Sequence, residues 1–228
     1  TPGDSDYEYN NNVVGTPSGK MNNDVIEVTY YYVLKSASYT VKYINVENNT
    51  EISGAKSGTA KCKTELRASD YVIPRITSGG ILYEYINATP DKITVRSTGS
   101  NEIKLYYKPV KGKVIVHHYI SGSTTQIAND EVKEGSVGSG YRTGWTVLGD
   151  KDYVHDRQTG AAANGTITEV TQEVIYYYKL GTGNYQVNYI DIESKKKIAE
   201  PEVKTGVTSK TEIEADKGTH FRERIASD

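Results

Sequence analysis

Tyrosine-rich strand endings recur along this chain at nearly equal intervals. A Tyr-Ile pair stands at Tyr43-Ile44, Tyr119-Ile120 and Tyr189-Ile190, 76 and then 70 residues apart. A second ending precedes each pair by 11 or 12 residues, at Tyr30-Tyr31-Tyr32, Tyr106-Tyr107 and Tyr176-Tyr177-Tyr178. Self-similarity at this period is the mark of an array of small modules, each with its own modest core and each touching only its neighbours. Such arrays reach, bind or space; they rarely enclose the deep pocket that catalysis needs.

The spacing divides the chain into 1–36, the back half of a repeat, two complete repeats at 37–109 and 110–181, and 182–228, the front portion of another. The segments Ser38 to Glu47, Lys113 to Ile120 and Asn184 to Glu193 alternate as strands do. Aligned on the Tyr-Ile pairs, one face carries Tyr39, Ile115 and Tyr185, then Val41, His117 and Val187, then Tyr43, Tyr119 and Tyr189, and this face is the expected core. Lys42, His118 and Asn188 fall on the opposite face and read as solvated. The closing strands repeat the logic with Val28, Ile103 and Val174, then Tyr30, Leu105 and Tyr176, then Tyr32, Tyr107 and Tyr178. Glycine-rich stretches such as Thr77-Ser78-Gly79-Gly80 and Gly135 to Gly140 read as turns. Weak helical patterns appear only over Lys61 to Ser69 and Thr208 to Asp216. The expected fold is mainly β with little helix, an elongated tandem array.

Composition narrows the function. Twenty tyrosines stand beside one Phe and one Trp, so Tyr supplies the ring volume that Phe and Leu usually give, burying a ring while leaving a hydroxyl wet. Net charge is −2 from 27 basic and 29 acidic residues, which does not favour nucleic acid or an anionic membrane as partner. A lone cysteine, Cys62, cannot form an internal disulfide. It lies between Lys61 and Lys63 without a convincing His partner and reads as a free thiol. No signal peptide or membrane-spanning run appears, so an exported parent protein implies an interior stretch.

Several motifs lose to plain readings. Gly135 to Gly140 mimics a phosphate loop, but Tyr141 to Trp145 is a poor helix start, so it reads as a turn. His117 and His118 are adjacent on a strand, point to opposite faces and cannot chelate one ion together. Asp150, Asp152 and Asp156 lack the spacing of a helix-loop-helix calcium site, so a structural calcium ion is the lesser reading there. No catalytic set, metal site or cofactor is expected. The aromatic surplus does have a functional reading, because sugar rings stack on exposed aromatic faces. The candidates are Tyr141, Trp145 and Tyr153 in the middle of the second repeat, with Tyr177 and Tyr106 on the non-core face of the closing strands.

The second complete repeat reads Val114-Ile-Val-His-His-Tyr-Ile120, then Gly135-Ser-Val-Gly138-Ser-Gly-Tyr141, Gly144-Trp145 and Val174-Ile-Tyr-Tyr-Tyr-Lys179. In this order of motifs it resembles the mucin-binding protein (MucBP) repeats of Gram-positive surface proteins. The first repeat departs from the pattern: it has Gly54 and Gly58 without the following Tyr, and Val72-Ile73-Pro74 where the second has Gly-Tyr and Gly-Trp. The resemblance implies β-grasp-like modules, a cell-wall-anchored extracellular protein, host mucin or another glycoprotein as partner, and no enzyme activity. It equally allows a non-binding stalk. A monomer is expected, with head-to-tail association of the end portions as a further possibility.

Overall fold

The computed structural model describes residues 3–21 and 24–214. The chain is nearly all β, in several small sheets. It forms two compact units, one of residues up to 112 with 135–139 and 166–169, the other of 113–134, 140–165 and 170 onward.

In the first unit the strands are β1 (Tyr7–Val14), β2 (Thr29–Leu34), β3 (Ser36–Asn45), β4 (Thr50–Lys61), β5 (Glu65–Arg67), β6 (Arg75–Ser78), β7 (Ile81–Thr89), β8 (Lys92–Thr94) and β9 (Glu102–Pro109). β1 and β2 pair alone, and a five-stranded sheet runs β4-β3-β9-β7-β6 around a parallel β3–β9 pair. Alternation places Ile103, Leu105 and Tyr107 of β9 on one face, all fully buried with Val41 and Tyr43. Leu66 and Ile93, from the two-stranded sheet β5–β8, pack against that cluster. A mixed sheet with a parallel central pair answers the β-grasp-like expectation, with this small sheet and a 3-10 turn at Ala68–Tyr71 as its cover. The Gly79-Gly80 hairpin is a two-residue turn with φ of 57° and 81°, values that glycine adopts freely.

The strands that follow are β10 (Lys111–Ile120), β11 (Gln126–Ser136), β12 (Gly140–Arg142), β13 (Tyr153–Gly160), β14 (Asn164–Thr166), β15 (Gln172–Leu180), β16 (Thr182–Val187) and β17 (Glu202–Thr208). β11-β10-β15-β13 form one sheet, again around a parallel central pair, while β12–β14 and β16–β17 pair separately.

Register corrects the expected alignment. In the parallel pairs Tyr107 lies opposite Asn45 and Tyr178 opposite Ile120. The residue equivalent to Tyr43 is therefore His118, not Tyr119. His118 is fully buried with Val114 and Val116, whereas His117 and Tyr119 are half-buried on the other face. The Tyr-Ile string recurs one residue out of step, and a one-residue slip exchanges the two faces of a strand. The closing columns are buried at Ile103/Val174, Leu105/Tyr176 and Tyr107/Tyr178, but not at their first members: Val28 is half-buried, and Tyr30 and Tyr32 are exposed on β2, which pairs only with β1 among the described strands.

The helical patterns correspond to no α-helix. β4 runs to Lys61, and Lys63 takes φ 70°. The next groups bond across the chain, Lys63 N–H to Val95 O at 2.7 Å and Val95 N–H to Thr64 O at 2.9 Å, instead of along a helix. Likewise β17 ends at Thr208 and Lys210 takes φ 64°. Residues 215 and 216 of that pattern lie outside the described residues.

One backbone relay recurs at three single residues that separate consecutive strands: Lys35 between β2 and β3, Val110 between β9 and β10, and Gly181 between β15 and β16. Lys35 N–H donates to Asp6 O and Lys35 O accepts from Cys62 N–H, at 2.9 and 2.8 Å. Val110 does the same with Leu82 and Val137, at 2.9 and 2.8 Å, and Gly181 with Asp152 and Ser209, at 2.7 and 2.9 Å. The residue after each of the three lower donors takes a positive φ: Lys63, Gly138 and Lys210. Lys63 Nζ meets Asp4 at 2.7 Å and lies 4.4 Å above the Tyr7 ring. Lys210 Nζ meets Asp150 at 2.6 Å and lies 4.7 Å above Tyr153. Around Val110 two glycines replace this clamp, and a Cβ at Gly138 would overlap the Gly80 carbonyl oxygen.

Candidate functional site

In the second unit the coil at 144–149 crosses one end of the core and, with β13, walls a cleft of about 220 Å³. Its lining includes Trp145, Leu148, Tyr153, Val154, His155 and Tyr178. Trp145 is 52% exposed. Its indole stacks on the His155 ring at 5.8 Å and 14°. His155 in turn stands edge-on to Tyr176 and Tyr178. An exposed indole is thus held flat by a ring that is itself wedged into the core.

Tyr178 fixes the coil. Its hydroxyl accepts from Thr146 N–H at 2.9 Å and donates to Thr146 O at 3.2 Å. A phenol has one proton to give. With that proton on the Thr146 carbonyl, the 3.0 Å bond between Tyr178 Oη and His118 Nδ1 makes His118 the donor. Nε2 then carries the lone pair, is buried without a hydrogen-bond partner, and lies 3.9 Å from Glu131. Burial pushes the His118 pKa below its ordinary value, against the opposing pull of Glu131 and Asp130.

Of the candidates read from sequence, Trp145 and Tyr153 meet in this cleft. Tyr141 is buried, its hydroxyl donating to Ala162 O at 2.9 Å. Tyr177 lies on the other face of β15, beneath the Arg157 guanidinium at 4.3 Å. Arg157 is held by Asp156 at 2.8 Å. Lys179 and then Ser121 draw the Asp156 carboxyl down to about 2. Tyr106 sits half-buried in the first unit. Asp150 and Asp156 both spend carboxylate oxygens on lysines. Among the described residues no three His, Cys, Asp or Glu side chains are grouped to hold a metal ion.

The first repeat has the same anchor with different neighbours. Tyr107 Oη accepts from Ile73 N–H at 3.3 Å and donates to Ile73 O at 2.9 Å. Tyr43 donates to Tyr71 O at 3.2 Å, and Tyr85 stands edge-on to Tyr107. Val72, next to the anchored Ile73, takes the place that Trp145 holds next to Thr146. A hollow of about 540 Å³ nearby is lined by Arg67, Asp91, Lys92 and Asn87 with a single ring, Tyr85. Sequence reading missed His118 and His155 as parts of the site. The signal was there in the closing strands, whose Tyr columns define the register without the Tyr-Ile pair.

No family model matches the chain, and no curated protein matches it. Two solved structures of Gram-positive proteins are similar to it. The first is SHIRT (Streptococcal High Identity Repeats in Tandem) domains 3-4 from a cell surface protein, at 9% identity and TM-score 0.33, over 62% of this chain and 98% of that one. The second is the Bacillus anthracis TIE protein, at 11% identity and TM-score 0.41, over 81% of this chain and 46% of that one.

Proposed function

We propose that this chain is a stretch of a bacterial cell-surface protein whose tandem repeats bind glycans of host mucin or a similar glycoprotein, with a sugar seated against Trp145. The observation that carries this reading is the half-exposed indole, stacked on His155 beside an apolar cleft. The apolar face of a pyranose packs on an aromatic face, and a cleft of about 220 Å³ takes about one ring. One such contact is weak, and repetition along a surface protein supplies avidity. The second repeat's likeness to mucin-binding repeats agrees with this assignment, and the reading involves no catalysis.

A stalk without ligand is the second reading. The backbone relay at Lys35, Val110 and Gly181 favours it, because it leaves single residues between consecutive sheets. Binding of the whole chain to immobilised mucin, before and after enzymatic removal of glycans, separates the two. Saturable binding that disappears with the glycans, and weakens in Trp145→Ala and Tyr153→Ala, supports the receptor. Absence of binding in every condition leaves the stalk.

A further inference from the structure

We infer that His118 is a positioning residue for Trp145, acting through Tyr178, and that it makes the cleft open or loosen on acidification. As a statement about Trp145 this stands without any ligand. As regulation of binding it rests on the glycan reading above.

The argument starts from what holds the indole's segment. Among the described residues, the hydrogen bonds of 144–149 to the rest of the repeat are the two between Thr146 and Tyr178 Oη. Their geometry depends on the third partner of that oxygen, His118 Nδ1. The His118 ring stacks on Tyr176 at 5.9 Å and 17° and leans on Tyr178 at 5.8 Å. His155, behind the same two tyrosines, supports the indole from below. One packed chain of rings therefore joins a fully buried imidazole to an exposed indole.

Protonation breaks this arrangement because of what surrounds Nε2. From its own strand the titratable neighbour is His117, which lies on the opposite face with its Nδ1 2.9 Å from Asp130. From β11 come Asp130 and Glu131, the latter shared with Lys133 at 3.7 Å. β15 offers only the tyrosines, and β13 offers His155 beyond them. A proton on Nε2 places a charge in the core with no acceptor in bonding reach, the nearest being Glu131 at 3.9 Å. Charged His118 gains by turning or moving towards Glu131, whose side chain is 49% exposed. Either movement takes Nδ1 away from Tyr178 and unpins Thr146. The first repeat cannot respond this way, since Tyr43 occupies the equivalent position and stays neutral across the same pH range.

The chain's single tryptophan makes the test direct. Trp145 emission of the whole protein is followed from about pH 7.5 to about 5, a range in which unperturbed carboxylates stay largely ionised and histidine titrates. The expected result is a shift towards solvent-exposed emission with a one-proton midpoint below about 6.5. The shift is absent in His118→Tyr, the first repeat's own solution. A flat profile overturns the inference, and so does an unchanged shift in His118→Tyr, which would place its source outside His118. Should that variant not fold, the NMR shift of the Thr146 amide in the unsubstituted chain must follow the His118 ring with one midpoint; independent titration also overturns the inference. Mucin-glycan affinity, measured separately, falls by up to about tenfold per pH unit below the midpoint. Failure of binding at all pH values, with the emission shift intact, counts against the glycan reading alone.

Discussion

Tyr107 in the first repeat and Tyr178 in the second hold their repeats together in the same way. Each hydroxyl takes both the N–H and the carbonyl of one residue in the segment crossing its core, Ile73 or Thr146. Around this shared anchor the repeats diverge. The first surrounds it with Tyr43 and Tyr85, the second with His118 and His155. Beside the anchored residue the first carries Val72 and the second Trp145. A fold that secures its connections through backbone bonds and one phenol leaves the neighbouring rings free to change. The second repeat has used that freedom to place an indole in solvent and titratable rings beneath it.

The comparison can be broken most severely by removing the anchors. Tyr107→Ala and Tyr178→Ala are each expected to cost about 3–5 kcal/mol, as truncations of buried aromatic side chains do. Urea unfolding at neutral pH measures both, and a much smaller loss in either would mean that the anchors are not equivalent. Tyr107→Phe and Tyr178→Phe keep the ring and lose the hydrogen bonds, at about 1–3 kcal/mol each. Of the two, only Tyr178→Phe should change Trp145 emission.

Acid sharpens the contrast, because the two units fail in different windows. The folded-state pKa of His118 lies below the ordinary value, so the fold favours the neutral ring. That stabilisation is complete above about pH 6.5 and is lost as pH falls below it. In the first unit the buried carboxylate of Asp6 is drawn down to about 2, chiefly by the Ser97 N–H and then by Arg96. Its contribution is present above about pH 3.9 and disappears as pH falls towards about 2. Amide exchange at pH 7 and pH 5 should therefore show loosening around Thr146 but not around Ile73. Equal loosening at both would remove the distinction.

The smallest expected effect on stability is that of Trp145→Ala. A half-exposed side chain without hydrogen bonds should change unfolding by little more than about 0.5 kcal/mol, while glycan binding falls away.

Much of this was legible in the chain because tyrosine both fills a core and marks a strand. Alternation along Ile103 to Tyr107 and Val174 to Tyr178 revealed the buried columns, and the glycines of Gly79-Gly80 marked a hairpin that needs positive φ. Trp145 stood out as the one indole. What stayed hidden depended on register. Tyr119-Ile120 repeats the letters of Tyr43-Ile44, yet pairing with β15 places His118 in the core. A polar-looking residue in a strand gives no sign of its face until its partner strand is aligned. Cys62, Lys63 and Thr64 looked helical because no local pattern shows that Lys35 takes the Cys62 N–H and that Val95, some thirty residues on, takes the backbone bonds of Lys63 and Thr64. The clamps of Lys63 on Asp4 and Lys210 on Asp150 join parts of the chain 59 and 60 residues apart and escaped notice for the same reason.

The most direct test of the central claim, that the second repeat's aromatic cleft is the binding site, is titration of the chain with released mucin oligosaccharides at pH 7.5, read through Trp145 emission. The account predicts a saturable change that is reversed by dilution and preserved in Val72→Ala, since Val72 is not part of the Trp145 cleft. An emission spectrum that stays constant while the same preparation binds immobilised mucin would place the ligand elsewhere and contradict it.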